Sequence, residues 1–97
     1  MDTAFLTLAQ SALTERLKDA FFEKSVSLRI KDVGNLLIIG SEASISDARA
    51  DCAVIADQET FEKILAGTLH PMKAVLFSKL KITGDAKTAM QFGALFG

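Results

Sequence analysis

The side chains able to do chemistry are few in this chain and poorly placed for it. The only histidine, His70, stands beside Pro71, and no serine–histidine–aspartate set can be assembled around it. One histidine and one cysteine, Cys52, do not make a metal site, and the aspartates and glutamates are scattered along faces that read as exposed. Cys52 has no partner for an internal disulfide and reads as a small buried hydrophobe on a strand. Gly34, Gly40, Gly67 and Gly84 are isolated turn glycines without phosphate-cradling spacing. His70 reads as a helix-start residue and Asp85 as a helix cap, rather than as base and nucleophile. The expectation is a chain without catalytic residues, metal ligands or cofactor, and therefore not an enzyme.

Apolar material remains as the carrier of function. At 97 residues the chain is expected to be one domain over 1–97, large enough for a core without staples. It is 49% apolar and 24% charged, with a mean hydropathy of +0.29. Its seven phenylalanines come with no Trp or Tyr, so no aromatic needs a hydrogen-bond partner when buried. Eleven basic and twelve acidic residues give a net charge of −1. No basic stripe points to nucleic acid, and no polybasic segment points to capture by an anionic membrane. No apolar run approaches the ~20 residues that span a bilayer, so stable membrane insertion is not expected. The opening MDTAFLTLAQ lacks the basic start of a signal peptide, and a cytoplasmic location is expected.

The elements follow from periodicity. Asp2 or Thr3 is expected to cap a helix reaching to about Phe22, with Leu6, Ala9, Leu13, Leu17 and Ala20 on one stripe. Phe5, Leu8 and Ala12 make a second, weaker strip. Ser25 to Lys31 alternates, with Val26, Leu28 and Ile30 facing a core and Ser27, Arg29 and Lys31 facing water. Val33-Gly34-Asn35 is expected to turn the chain into Leu36–Gly40, apolar on both faces. Ala43–Ser46 and Asp51–Ala56 complete what reads as an antiparallel meander. Asp57 caps a helix with Phe61, Ile64 and Leu65 inward and Glu59 and Lys63 paired outside, ended by Gly67. His70-Pro71 starts a short helix with Met72, Val75 and Leu76 as its apolar face. Leu80 and Ile82 mark a fifth strand, and Gly84-Asp85 opens a last helix to Phe96. That helix is apolar on more than one face. A cavity, a partner chain or a C-terminal extension could absorb the excess, and a homodimer through Phe92, Leu95 and Phe96 is one way to do so.

The order of these elements resembles the sterol carrier protein 2 (SCP2) domain family. The resemblance rests on Ala50-Asp51-Cys52 opening a strand that ends at Asp57, and on Phe61-x-x-Ile64-Leu65-Ala66-Gly67-Thr68-Leu69-x-Pro71. It rests also on Lys79-Leu80-Lys81-Ile82-Thr83-Gly84-Asp85 before a Met-containing helix. It implies an α+β fold, a five-stranded mostly antiparallel sheet covered by helices on one face. It implies further a non-catalytic lipid-binding or lipid-transfer domain with an apolar tunnel between the last helix and the sheet. On the matching positions the lipid-binding residues are Phe61, Leu65, Phe77, Leu80, Ile82, Ala86 and Met90. The ligand implied is a fatty acid, a fatty acyl group, or an isoprenoid- or sterol-like lipid. The hairpin region between Ser25 and Arg49 is short and lacks the Trp that many members carry, and a chain ending at Gly97 would lack the tail that larger members add over the last helix; on that expectation a linear acyl chain or isoprenoid is favoured over a sterol. The alternative is an accessory module of a lipid- or quinone-related assembly, binding a protein partner through its apolar last helix.

Overall fold

The computed structural model describes residues 4–96, so the expected caps Asp2 and Thr3 lie outside the described residues. The order is α1 (Ala4–Arg16), β1 (Phe22–Ile30), β2 (Gly34–Gly40), β3 (Glu42–Ile45), β4 (Cys52–Ala56), α2 (Gln58–Leu65), α3 (Pro71–Leu76), β5 (Lys81–Gly84) and α4 (Ala86–Ala94). The five strands form one sheet in the order β3-β2-β1-β4-β5. The α+β class and the mostly antiparallel sheet hold: only the β1–β4 pair is parallel.

That parallel pair corrects the meander. β1, β2 and β3 follow one another as hairpins, but β4 leaves the series and docks on the free side of β1, with Val26 opposite Cys52 and Leu28 opposite Val54. The physical reason lies in the strands themselves. β4 carries Cys52, Val54 and Ala56, all buried, and needs neighbours on both sides. β3, with Glu42, Ser44 and Ile45 exposed, suits an edge, where a short polar strand discourages pairing with other chains.

The alternation in β1 works as expected. Val26, Leu28 and Ile30 are buried, while Arg29 and Lys31 stay exposed. Ser27 is the exception on that second face: it is fully buried, in mid-sheet between Leu37 of β2 and Ala53 of β4. The β1–β2 turn comes earlier than predicted, over Lys31–Val33, with Val33 N donating to Ile30 O at 3.1 Å and Asp32 taking a positive φ of 62°.

α1 stops at Arg16, short of the predicted Phe22. Leu17–Ala20 form a turn instead, and Phe22 enters β1 opposite Gly40 with 2% of its surface exposed. Fully burying a Phe ring contributes roughly 2–3 kcal/mol, more than one further helical turn would. Leu6, Ala9, Leu13 and Leu17 cover the sheet as the first stripe requires.

The helix ends obey their caps. Asp57 accepts from Thr60 N at 2.9 Å, and Asp85 accepts from Thr88 N at 2.9 Å. At the end of α2, Gly67 N donates to Ile64 O at 3.1 Å and Thr68 N to Lys63 O at 3.0 Å, with Gly67 at φ +81°. α3 ends with the same bond pattern, Ser78 N to Val75 O and Lys79 N to Ala74 O, but the residue at positive φ is Ser78, at 58°. A side chain costs about 1 kcal/mol in that conformation. Ser78→Gly is therefore expected to stabilise the fold by several tenths of a kcal/mol up to about 1 kcal/mol, read as a raised urea midpoint with unchanged slope.

Candidate functional site

Two open apolar hollows lie among the helices. The larger, about 560 Å³, runs between α1 and α2 and is lined by Ala4, Phe5, Leu8, Ala9, Ala12, Gln58, Glu62, Leu65 and Ala66. It exists because α1 carries two apolar strips. The first packs on the sheet; the second, Phe5, Leu8 and Ala12, turns sideways toward α2. α2 in turn commits Thr60, Phe61 and Ile64 to the interior and leaves Leu65 half-buried at the groove. The four alanines are too small to close the space between the helices. The rim is polar: Gln58 Nε2 donates to Glu62 Oε1 at 2.8 Å.

Arg16 lies one turn beyond Ala12 on the same side of α1. Its Nη2 donates to Leu65 O at 3.1 Å and its Nη1 to Leu95 O at 3.4 Å, and the guanidinium carbon stands 4.7 Å from the centre of the Phe96 ring. Leu65 and Leu95 close α2 and α4, so their carbonyls lack intrahelical partners and carry the negative helix ends. One cation therefore ties the ends of three helices together at the Leu65 end of the groove. Arg16 makes no ion pair among the described residues. The sequence pattern did not reveal this residue, since an arginine at the end of an amphipathic helix normally faces water.

The smaller hollow, about 260 Å³, lies between α3 and α4 and is lined by His70, Met72, Met90, Gly93 and Ala94. His70 is occupied at the start of α3, its Nδ1 accepting from Met72 N at 3.1 Å. A third cleft, beside the start of α4, is polar and holds Glu23, Lys24, Asp85 and Lys87. There Asp85 accepts from Thr88 N and Oγ1 (2.9 and 2.6 Å) and from Lys24 Nζ at 3.3 Å. Those bonds hold its carboxyl at about 2. A folded value below the unfolded one means that the cap stabilises α4 above about pH 4 and is lost as pH falls toward 2. Acid titration of wild type is expected to lose helicity in that window, and Asp85→Asn to flatten the loss. Cys52 is buried on β4, and burial, reinforced by the Asp85 charge, pushes its thiol up.

The seven positions expected to line a tunnel do not share one space. Phe61 and Leu80 are core residues, and Leu65 and Ile82 are half-buried against the core. Of the seven, Leu65 alone reaches the α1–α2 groove. Ala86 is exposed, Phe77 is exposed beside Leu69 and Lys79, and Met90 is 69% exposed at the mouth of the α3–α4 hollow. Helical period explains Met90: Thr88, Ala89, Phe92 and Gly93 form the buried face, and residue 90 falls off it. On the side expected to self-associate, Phe92 is wholly buried, while Leu95 and Phe96 are half-buried against the core. α3 keeps one residue of its expected face: Val75 packs against the core beside the buried Pro71 and Ala74, while Met72 and Leu76 face out.

Among the described residues no three His, Cys, Asp or Glu side chains come together as metal ligands, and no helix is long and apolar enough to cross a membrane. Solved structures share the fold. The sterol carrier protein 2 of Aedes aegypti, determined in complex with palmitate, aligns with a TM-score of 0.79 at 15% identity over 100% of this chain and 97% of its own. The sterol carrier protein 2-like 2 of the same mosquito aligns at 0.75 and 17% identity, over 93% and 94%. A ubiquinone synthesis protein, UbiJ-SCP2, aligns at 0.58 and 22% identity, over 90% and 76%. No curated protein matches the chain significantly. The sequence profile of the SCP-2 sterol transfer family matches residues 4–97, nearly the whole chain, and the protein belongs to that family.

Proposed function

We propose that residues 1–97 form a single, non-catalytic lipid-binding domain that holds one linear acyl-type chain in the groove between α1 and α2. The observation that carries this reading is the groove itself. It measures about 560 Å³, within the ~300–1,000 Å³ range of small-molecule sites, and has apolar walls of Phe5, Leu8, Ala12 and Leu65. The α3–α4 hollow, at about 260 Å³, is too small for a long chain on its own. Of the tunnel residues implied by the family resemblance, Leu65 serves in this site directly and Phe61 from the core behind it. Arg16 supplies a cation at the Leu65 end suited to a fatty-acid carboxylate. The palmitate held by the Aedes aegypti relative is consistent with this ligand class.

A second reading, an accessory module of a lipid- or quinone-related assembly, draws support from the likeness to UbiJ-SCP2. It places a partner's apolar segment in the same groove. Titration of the delipidated protein with a fluorescent long-chain fatty acid separates the two. Saturation at one equivalent supports the lipid site; no saturable binding favours the accessory module.

A further inference from the structure

The face of the sheet turned away from the helices carries a second site. Two cross-strand rows lie side by side on it: Ser27, Ala53 and Thr83 in one, Arg29 and Ile55 in the next. With Arg49 and Ala50 of the β3–β4 crossover they line one hollow of about 420 Å³. That volume falls in the ~300–1,000 Å³ range of small-molecule sites. The small side chains of Ser27, Ala50 and Ala53 leave the space, and Arg29 and Arg49 bring two cations to it.

Two features of the hollow ask for an anion. The first is charge. Arg29 and Arg49 are exposed, neither makes an ion pair among the described residues, and no carboxylate lines the hollow. The carboxylates that flank Arg49 in sequence are engaged elsewhere. Asp47 accepts from Asn35 Nδ2 at 3.0 Å, and Asp51 accepts from Ser25 N at 2.9 Å and Ser25 Oγ at 3.2 Å. The second feature is Ser27. It is 1% exposed, and its Oγ has no hydrogen-bond partner among the described residues. A buried hydroxyl left unpaired is rare and costly, and an alanine would fill the same place without that cost.

We propose that this hollow binds a small, soluble phosphomonoester. Its phosphate lies between Arg29 and Arg49, and its organic part rests on Ala53 and Ile55. Two guanidiniums match the nearly double charge of a phosphomonoester better than the single charge of a carboxylate. Each also presents a planar pair of donors to the phosphate oxygens. The Ser27 hydroxyl supplies a further donor. The site lies across the sheet from the helices and does not depend on the α1–α2 groove.

The test is titration of the protein with phenyl phosphate at fixed ionic strength, followed by amide nitrogen-15 NMR. Wild type is expected to show saturable shifts centred on Ser27, Arg29, Ala53 and Ile55, with a Kd on the order of 1 mM or tighter. Inorganic phosphate should compete. Arg29→Gln and Arg49→Gln are each expected to weaken binding about tenfold or more while leaving fatty-acid binding unchanged. Lys87→Gln, in the polar cleft beside α4, is expected to bind phenyl phosphate as wild type does. Ser27→Ala separates a ligand donor from a packing residue. It should raise the Tm of the ligand-free protein by a few degrees, by removing the unpaired hydroxyl, and weaken phenyl phosphate binding several-fold. Three outcomes overturn the proposal: shifts that spread over the basic surface without saturating, Arg49→Gln that binds like wild type, or Ser27→Ala that binds as tightly as wild type. Phosphatidic acid vesicles that displace phenyl phosphate at a lower phosphate concentration than glycerol phosphate does would overturn the soluble ligand in favour of a lipid headgroup.

Discussion

Gly84→Ala is expected to cost about 3 kcal/mol and to lower the Tm by about 15 °C. Gly84 ends β5 at φ +92°, where a Cβ would meet Asp51 O and lie 3.0 Å from Cys52 Cα and 3.1 Å from Asp51 C. These atoms are backbone, so no side-chain rotation relieves the contact. They belong to the junction that launches α4, where Asp85 N donates to Asp51 O at 2.9 Å and Gly84 pairs with Cys52. Displacing Asp51 therefore disturbs β4, β5 and the last helix together. A loss of that size is a large share of the ~5–15 kcal/mol that holds a domain folded. Gly67→Ala is the comparison: its φ is +81°, but nothing lies within 4 Å of the added carbon. Only conformational strain remains there, about 1 kcal/mol. Equal melting points for the two variants would contradict this account of the junction.

Leu8→Glu is expected to weaken fatty-acid binding at least tenfold, about 1.4 kcal/mol, while leaving stability nearly unchanged. Leu8 is 70% exposed, so the fold does not depend on it, yet it forms one wall of the groove. A carboxylate there removes apolar contact and must be desolvated by the chain lying across it. Met90→Asp, exposed beside the separate α3–α4 hollow, is expected to bind the probe as wild type does. Full burial of about fifteen methylenes at ~0.8 kcal/mol each gives roughly 12 kcal/mol gross. An open groove and the cost of ordering the chain remove about half, leaving a Kd on the order of tens of micromolar. An affinity far tighter than that would mean the helices part and swallow the chain.

Much of the fold was legible because its elements announce themselves locally. Val26, Leu28 and Ile30 alternate cleanly, Asp57 and Asp85 cap the helices they precede, and Gly67 ends α2. The placement of β4 was not legible, because the partner of a short apolar strand is chosen by the whole sheet rather than by its own residues. The site was harder still. In a short helix such as α3, apolar residues mark a face without saying which way it points, and Met72 and Leu76 turned outward where inward was expected. Met90 rests on the resemblance, and the period of α4 takes it off the buried face to the mouth of the α3–α4 hollow. The groove did leave a trace, in the second apolar strip of Phe5, Leu8 and Ala12. That strip reads as weak because alanine contributes space rather than contact.

The most direct measurement is an NMR map of contacts between a carbon-13-labelled long-chain fatty acid and the methyl groups of the protein. Contacts from the acyl chain to Leu8, Ala9, Ala12 and Leu65, with the carboxyl end near Arg16, are the expected result. Contacts confined to Leu80, Ile82 and the underside of α4 would place the chain in a tunnel beneath the last helix and contradict the α1–α2 groove.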